Sequence, residues 1–203
     1  MILKFDHLAF SCIKDKLNES ITNFSDYESV FIEHNLPNLL IKEQLMQYKG
    51  ATHDIALLNH KEKLSIEITA YDEVGDLVGK YDIKDNSIIV TTSSVKSSAL
   101  FYEAIGFKHN SDNCYNIHPM LDDRDINIQF KENKMGSTNY LDSAGFCCMA
   151  FITNKANKEK KRLEKLNIST TDIMELTVNG KLLNVFFAYN EYGDMVEFIC
   201  PEG

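Results

Sequence analysis

The sequence predicts an α+β protein made by repeating one β-α-β-β-β unit, and three observations carry that prediction. Segments rich in alternating Phe, Leu, Ile and Val recur at 4–12, 87–92 and 145–154, and such alternation marks a half-buried strand. Each is followed by a stretch with helical spacing, at 14–24, 97–107 and 156–166. After each helix come further short strand-like pieces. A supersecondary unit that recurs along a chain dictates the architecture of the whole.

In the first unit KFDHLAFSC (4–12) alternates and KDKLNESITNF (14–24) sets Leu17, Ile21 and Phe24 on one helical face; strands are expected at 28–34, 53–59 and 64–71. The second unit begins after the polar stretch 72–86, with SIIVTT (87–92) as a strand. Its helix SSALFYEAIGF (97–107) is closed by Gly106, which suits a left-handed cap. Strands are expected at 107–110, 114–118 and 126–131. The third unit runs from GFCCMAFITN (145–154) through the helix ANKEKKRLEKL (156–166) to strands at 172–178, 182–189 and 195–200. Asn179-Gly180 between two of these is a hairpin-turn signal.

Two connections stand apart. Residues 35–51 are longer than most loops, apolar throughout and punctuated by Pro37 and Gly50, so they form either a functional loop or a packed flap. Residues 132–144 are polar and contain Gly and Ser, the predicted linker. The expected organisation is a first module over 1–80 and the second and third modules over 87–203.

Composition excludes several classes. With 203 residues, 44% hydrophobic and 25% charged, the chain is neither disordered nor fibrous. Lys+Arg 21 against Asp+Glu 30 gives a net charge of −9, which repels phosphate backbones and anionic membranes, so neither nucleic acid nor a membrane is a predicted partner. The opening MILKFDHLAF lacks the basic region and cleavage site of a secretory signal, and no run of apolar residues is long enough to span a bilayer; a cytoplasmic protein is expected. The cysteines Cys12, Cys114, Cys147, Cys148 and Cys200 are odd in number and form no C-x-x-C pair, against both a disulfide framework and a zinc knuckle.

Together with the repeat, the phrases DHLAF (6–10), FYEAIGF (101–107) and YGDMVEFI (192–199) resemble the vicinal oxygen chelate superfamily, which includes glyoxalase I, bleomycin- and fosfomycin-resistance proteins and extradiol dioxygenases. The resemblance covers nearly the whole chain. It implies paired modules whose curved mixed sheets form a cup with helices outside, and a divalent metal held near the start of the first strand and on the last strand of each module. His7 and Glu67 fall on those positions in the first module. Aligning FCCMAF (146–151) on FDHLAF (5–10) puts Cys148 at the histidine position of the third, with Glu197 on its last strand. In the second module Ile88 and Gln129 take these places. The implied metal set is therefore His7, Glu67, Glu197 and Cys148, donors that suit Zn, Ni, Mn or Fe. Glu67 and Glu197 are also the candidate general bases. Strand alternation places Phe5, His7 and Ala9 on one face, and Ser65, Glu67 and Thr69 on one face.

Three modules leave the pairing open: one with three, one with two, two with three, or the first modules of two chains across a two-fold axis, as in the expected homodimer. Plainer readings stand beside the sharp ones. His7 suits a hydrogen-bonded structural role, Cys148 a small apolar core position and Glu197 a salt bridge, whereas Glu67 inside LSIEITAY needs a partner or a metal. His53 is expected near the rim, in a turn hydrogen bond or a substrate contact; Leu45, Met46 and Tyr48 line a pocket as a lid, patch an outer face or form a dimer interface. The implied function is that of a glyoxalase-like, metal-dependent lyase, isomerase or dioxygenase acting on a small oxygen-rich molecule. The alternative is a metal-free small-molecule binding or resistance protein of the same fold.

Overall fold

The computed structural model describes residues 1–84, 87–134 and 138–202. The first module contains β1 (Ile2–Ile13), a single 3-10 turn leading into α1 (Leu17–Asn23), β2 (Glu28–Pro37), β3 (Thr52–Asn59) and β4 (Ile66–Tyr71). The second contains β5 (Tyr81–Lys84), β6 (Ser87–Thr92), α2 (Val95–Ile105), β7 (Lys108–Ser111), β8 (Cys114–Ile117) and β9 (Ile126–Glu132). The third contains β10 (Gly145–Thr153), α3 (Ala156–Lys165), the two-residue β11 (Ser169–Thr170), β12 (Met174–Val178), β13 (Lys181–Tyr189) and β14 (Met195–Pro201). Two local signals act as their chemistry requires. Gly106 ends α2 at φ 131°, its N–H and that of Phe107 both reaching the Tyr102 carbonyl. Asn179 and Gly180, at φ 48° and 70°, turn β12 back into β13.

The first and third modules pair with each other. They share one sheet in the order β11-β13-β14-β10-β1-β4-β3-β2, with β12 also on β13. In each, the first strand runs parallel to the last, β1 with β4 and β10 with β14, while β1 and β10 meet antiparallel at the centre. The register is symmetric about that seam: His7 faces Ala150 and Ala9 faces Cys148, so a local two-fold relates the modules and Cys148 is the mate of His7. The sheet curls until its ends approach, the Asn179 N–H at the β12–β13 turn donating to Glu33 on β2 at 2.6 Å. One chain therefore completes the cup.

Strand alternation separates two faces. On the convex side of the first module, Leu17 and Ile21 of α1 and Phe24 just past its end cover Ala56, Leu58, Ile66 and Ile68. On the convex side of the third, Phe186 and Phe198 stack with centroids 4.9 Å apart and join Leu163 of α3 in a core shared with the second module. That module forms its own sheet, β5-β6-β9-β8-β7. Ile88 lies in this outer core and Gln129 is exposed, so neither faces the cup. The second sheet is tied to the cup by a buried ion pair, Lys80 Nζ lying 2.7 Å from Asp194 Oδ1, although the angle falls short of an aligned hydrogen bond. Asp194 also accepts from Ser98 of α2 and, at 2.8 Å, from Asn190, and the Tyr81 hydroxyl accepts from the Met195 N–H at 2.8 Å.

Of the 35–51 segment, residues 35–37 continue β2 against β3, and 38–51 form a packed flap over the cup. It carries a 3-10 turn, Leu40–Leu45, and buries Leu45 and Met46 in the concave core with Leu39 and Ile41 against it. Its far end is held by the fully buried carboxylate of Asp142: the Gln47 N–H reaches both oxygens at 2.9 Å and the Tyr48 N–H reaches Oδ2 at 2.7 Å. Asp142 belongs to the segment 132–144, read from sequence as a linker. Its residues 135–137 lie outside the described residues, while Asn139, Leu141, Asp142 and Ser143 are buried.

Candidate metal centre and cavity

Two β-bulges shape the floor of the cup. The β1–β10 register passes from Phe5 opposite Phe151 to His7 opposite Ala150, leaving Asp6 unopposed; it passes from Ala9 opposite Cys148 to Phe10 opposite Phe146, leaving Cys147 unopposed. A bulge inserts one residue and re-aims its neighbours. Asp6 and His7 consequently both turn toward the cup, and the same happens at Cys147 and Cys148 across the seam. The expectation that Phe5 shares a face with His7 is corrected: Phe5 packs in the convex core, edge-on to Phe151 at 5.5 Å. The second expectation holds for Glu67 and Thr69, whose hydroxyl donates to Glu67 Oε1 at 3.2 Å.

His7 is the centre of the arrangement. It is 1% exposed, and Nδ1 lies 2.9 Å from Asp6 Oδ2. Nε2 faces Glu67 Oε1 at 3.7 Å and Glu197 Oε2 at 3.6 Å, beyond hydrogen-bond range, and has no partner. With Nδ1 donating to Asp6, Nε2 faces two carboxylates, an arrangement that favours positive charge between them, a proton on Nε2 or a metal ion in its place. The electrostatics agree. Burial works against the imidazolium, but the Glu67, Asp6 and Glu197 carboxylates outweigh it and hold the His7 pKa well above its ordinary value. Burial, reinforced by the Glu197 charge, raises Glu67. Asp6 is lowered: burial opposes its charge, and the His7 contact overcomes that.

Three of the four sequence-derived ligands, His7, Glu67 and Glu197, thus converge from β1, β4 and β14. Cys148 sits at the two-fold mate of His7, fully buried, with Sγ 3.4 Å from the Met149 carbonyl and 3.7 Å from that of Met195. Burial pushes its thiol well above the usual range and that of Cys147 up to about 12. Among the described residues no group of three or more His, Cys, Asp and Glu side chains stands in an arrangement that could hold a metal ion as it is. The donors that fit an ion are the orphaned Nε2 and the two carboxylates, with Asp6 orienting the imidazole.

A cavity of about 440 Å³ rises from this floor. Asp6, Glu67 and Glu197 line its base, and Leu36, Ile55, Leu57, Leu183, Val185 and Ile199 supply an apolar wall. Lys42 from the flap and His53 from β3 also line it, though both are almost fully buried. His53 is not at a turn: its ring lies 5.8 Å from that of Tyr71 and Nδ1 has no partner. Sequence reasoning missed Asp6 and Lys42. Alternation puts Asp6 on the wrong face unless the bulge is known, and a lysine in a loop reads as surface.

No family model matches the chain, and no curated protein is similar to it. Several solved structures are similar in fold. Methylmalonyl-CoA epimerase from Mycobacterium tuberculosis is 12% identical with a TM-score of 0.49, over 100% of this chain and 91% of that one. A glyoxalase I variant from Zea mays is 16% identical with a TM-score of 0.41, over 97% and 67%. A putative dioxygenase from Bacillus subtilis is 8% identical with a TM-score of 0.41, over 100% and 64%. The fold itself joins two β-α-β-β-β modules into one cup. Among the described residues no helix is long and apolar enough to cross a membrane.

Proposed function

We propose that this protein is a glyoxalase-like, divalent-metal-dependent enzyme acting on a small oxygen-rich molecule bound in the cup. The observation that carries the reading is His7 Nε2, buried, unpartnered and facing Glu67 and Glu197 at 3.7 and 3.6 Å, with its other nitrogen on Asp6. His7, Glu67 and Glu197 would hold Zn, Ni, Mn or Fe, and when bound the ion supplies a Lewis acid for neighbouring oxygens of the substrate.

The chain's own residues do the rest. Asp6 fixes the tautomer and orientation of His7. Glu67, its pKa raised by burial and its Oε1 accepting from the Thr69 hydroxyl, is the candidate proton acceptor. The apolar wall and the flap limit water at the floor without sealing it, the Glu67 and Glu197 side chains being 20% and 12% exposed. Isomerisation, epimerisation, lyase and ring-opening chemistry share these requirements.

The test is to load the protein with each ion and assay dicarbonyl, epimerase and dioxygenase substrates. Turnover of one class, lost in Glu67→Gln with the fold intact, is the expected result. A second reading, metal-free capture of small molecules, is favoured by Cys148 standing where a second histidine would be and by the apolar wall. It predicts saturable ligand binding unchanged by chelators and by Glu67→Gln.

A further inference from the structure

The cup holds polar groups that the metal-centred reading leaves unused. Lys42, on the flap, and His53, on β3, line the cavity and are 7% and 4% exposed. Among the described residues the Lys42 side chain makes no hydrogen bond or ion pair, and neither ring nitrogen of His53 has a hydrogen-bond partner. The Lys42 stem is buried, but its Nζ, unlike His53 Nδ1, is not a fully buried atom and opens on the cavity, a cation with no counter-charge in contact. Lys42 does steady the charge of Glu67, but from beyond ion-pair distance. His53 is electrically complementary to it: burial, with Lys42 and Lys14 adding positive charge, pushes its pKa down to about 2, so the ring is neutral and keeps one N–H to donate.

We infer that Lys42 and His53 form an oxyanion subsite in the cup, which takes the carboxylate of a small organic acid whose apolar body lies along Leu36, Leu39 and Ile55. The inference rests on the proposed function in one respect: with Glu67 committed to an ion, Lys42 is left as an unpaired cation facing the ligand. One ammonium and one N–H match the two oxygens of a carboxylate monoanion; a phosphate dianion calls for more donors. The apolar surroundings strengthen the contact, because a charge-assisted hydrogen bond gains most where water is excluded.

The test uses the full chain, with and without added Zn, and three probes: phenylpyruvate, its methyl ester and inorganic phosphate, each titrated calorimetrically. Phenylpyruvate should bind more tightly than the ester, and Lys42→Gln should weaken it by about tenfold or more while leaving the ester unmoved. Lys42→Met, which keeps the apolar stem, should give the same loss with an unchanged melting temperature, and His53→Gln should give a smaller one. Metal content, measured in parallel, should not change in any of these variants. Equal binding of acid and ester, no binding of either, or an acid affinity unmoved in both Lys42 variants overturns the subsite. So does Lys42-dependent binding of phosphate without that of the acid. Failure of the metal reading shows separately, as absence of metal from the wild-type chain, while the acid-ester comparison still reports on Lys42.

Discussion

Replacing Asp142 by Ala should release the flap that carries Lys42. The Asp142 carboxylate accepts from Gln47 N–H on both oxygens at 2.9 Å and from Tyr48 N–H at 2.7 Å, while being fully buried itself. A hydrogen bond to a charged group contributes about 1.5–3 kcal/mol, and two donors are involved. Gln47 and Tyr48 are exposed, so their N–H groups regain water when the acceptor is lost, which points to the lower end, about 3 kcal/mol. For a chain of this size that corresponds to a fall in Tm of about 6–12 °C. Asp142→Asn, which retains one acceptor oxygen, should lose about half as much. The assays are thermal melting followed by circular dichroism and limited trypsin digestion, with faster native-state cleavage at the exposed Lys49 in the Ala variant. A Tm within about 2 °C of wild type, together with unchanged cleavage at Lys49, would refute the claim that this carboxylate pins the flap.

Three further outcomes follow from the same contacts. Asp194→Ala strands the Lys80 ammonium in the seam between the sheets and should cost about 3–5 kcal/mol in urea unfolding, with part recovered in Lys80→Met/Asp194→Leu. Glu159 has a lowered pKa because Arg162, whose Nε donates to it at 3.0 Å, outweighs the opposing effect of burial. A depressed folded-state pKa means stability present above the ordinary value of 4.5 and lost as pH falls through the folded one, so Glu159→Gln should be less stable than wild type at pH 7, with the gap closing below pH 4.5 on denaturant titration. Iodoacetamide at pH 8 should label Cys114 and Cys200 in the native protein and spare the buried Cys12, Cys147 and Cys148 until it unfolds, as read by mass spectrometry.

Much of the fold could be read from local chemistry. Strand 87–92 matches β6, Gly106 ends its helix, and Asn179-Gly180 turns its hairpin, because each depends on neighbours in sequence alone. Elements that depend on distant partners escaped. Residues 81–84 form β5 only because β6 lies beside them, within a stretch read as polar. The pairing of the first module with the third was not legible, since all three begin with the same alternating pattern and nothing local says which edges meet. The bulges at Asp6 and Cys147 are settled across the β1–β10 seam, so alternation mis-assigned Phe5 and hid the Asp6 contact to His7. His7, Glu67 and Glu197 came from the resemblance rather than from local chemistry, and only Glu67, a carboxylate inside an apolar strand, asked for a partner by itself; the structure brings the three together. Lys42 offered no such signal, its burial coming from a flap folded inward.

The most direct test of the account is the metal content of purified protein, stripped with chelator and reloaded with Zn, Ni, Mn or Fe(II), for the wild type and for His7→Ala, Glu67→Ala and Glu197→Ala. The account predicts near-stoichiometric retention of one of these ions by the wild type after gel filtration, and loss in all three variants with the fold preserved. Wild-type protein that retains none of them, or a His7→Ala variant that retains the ion as well as wild type, would contradict it.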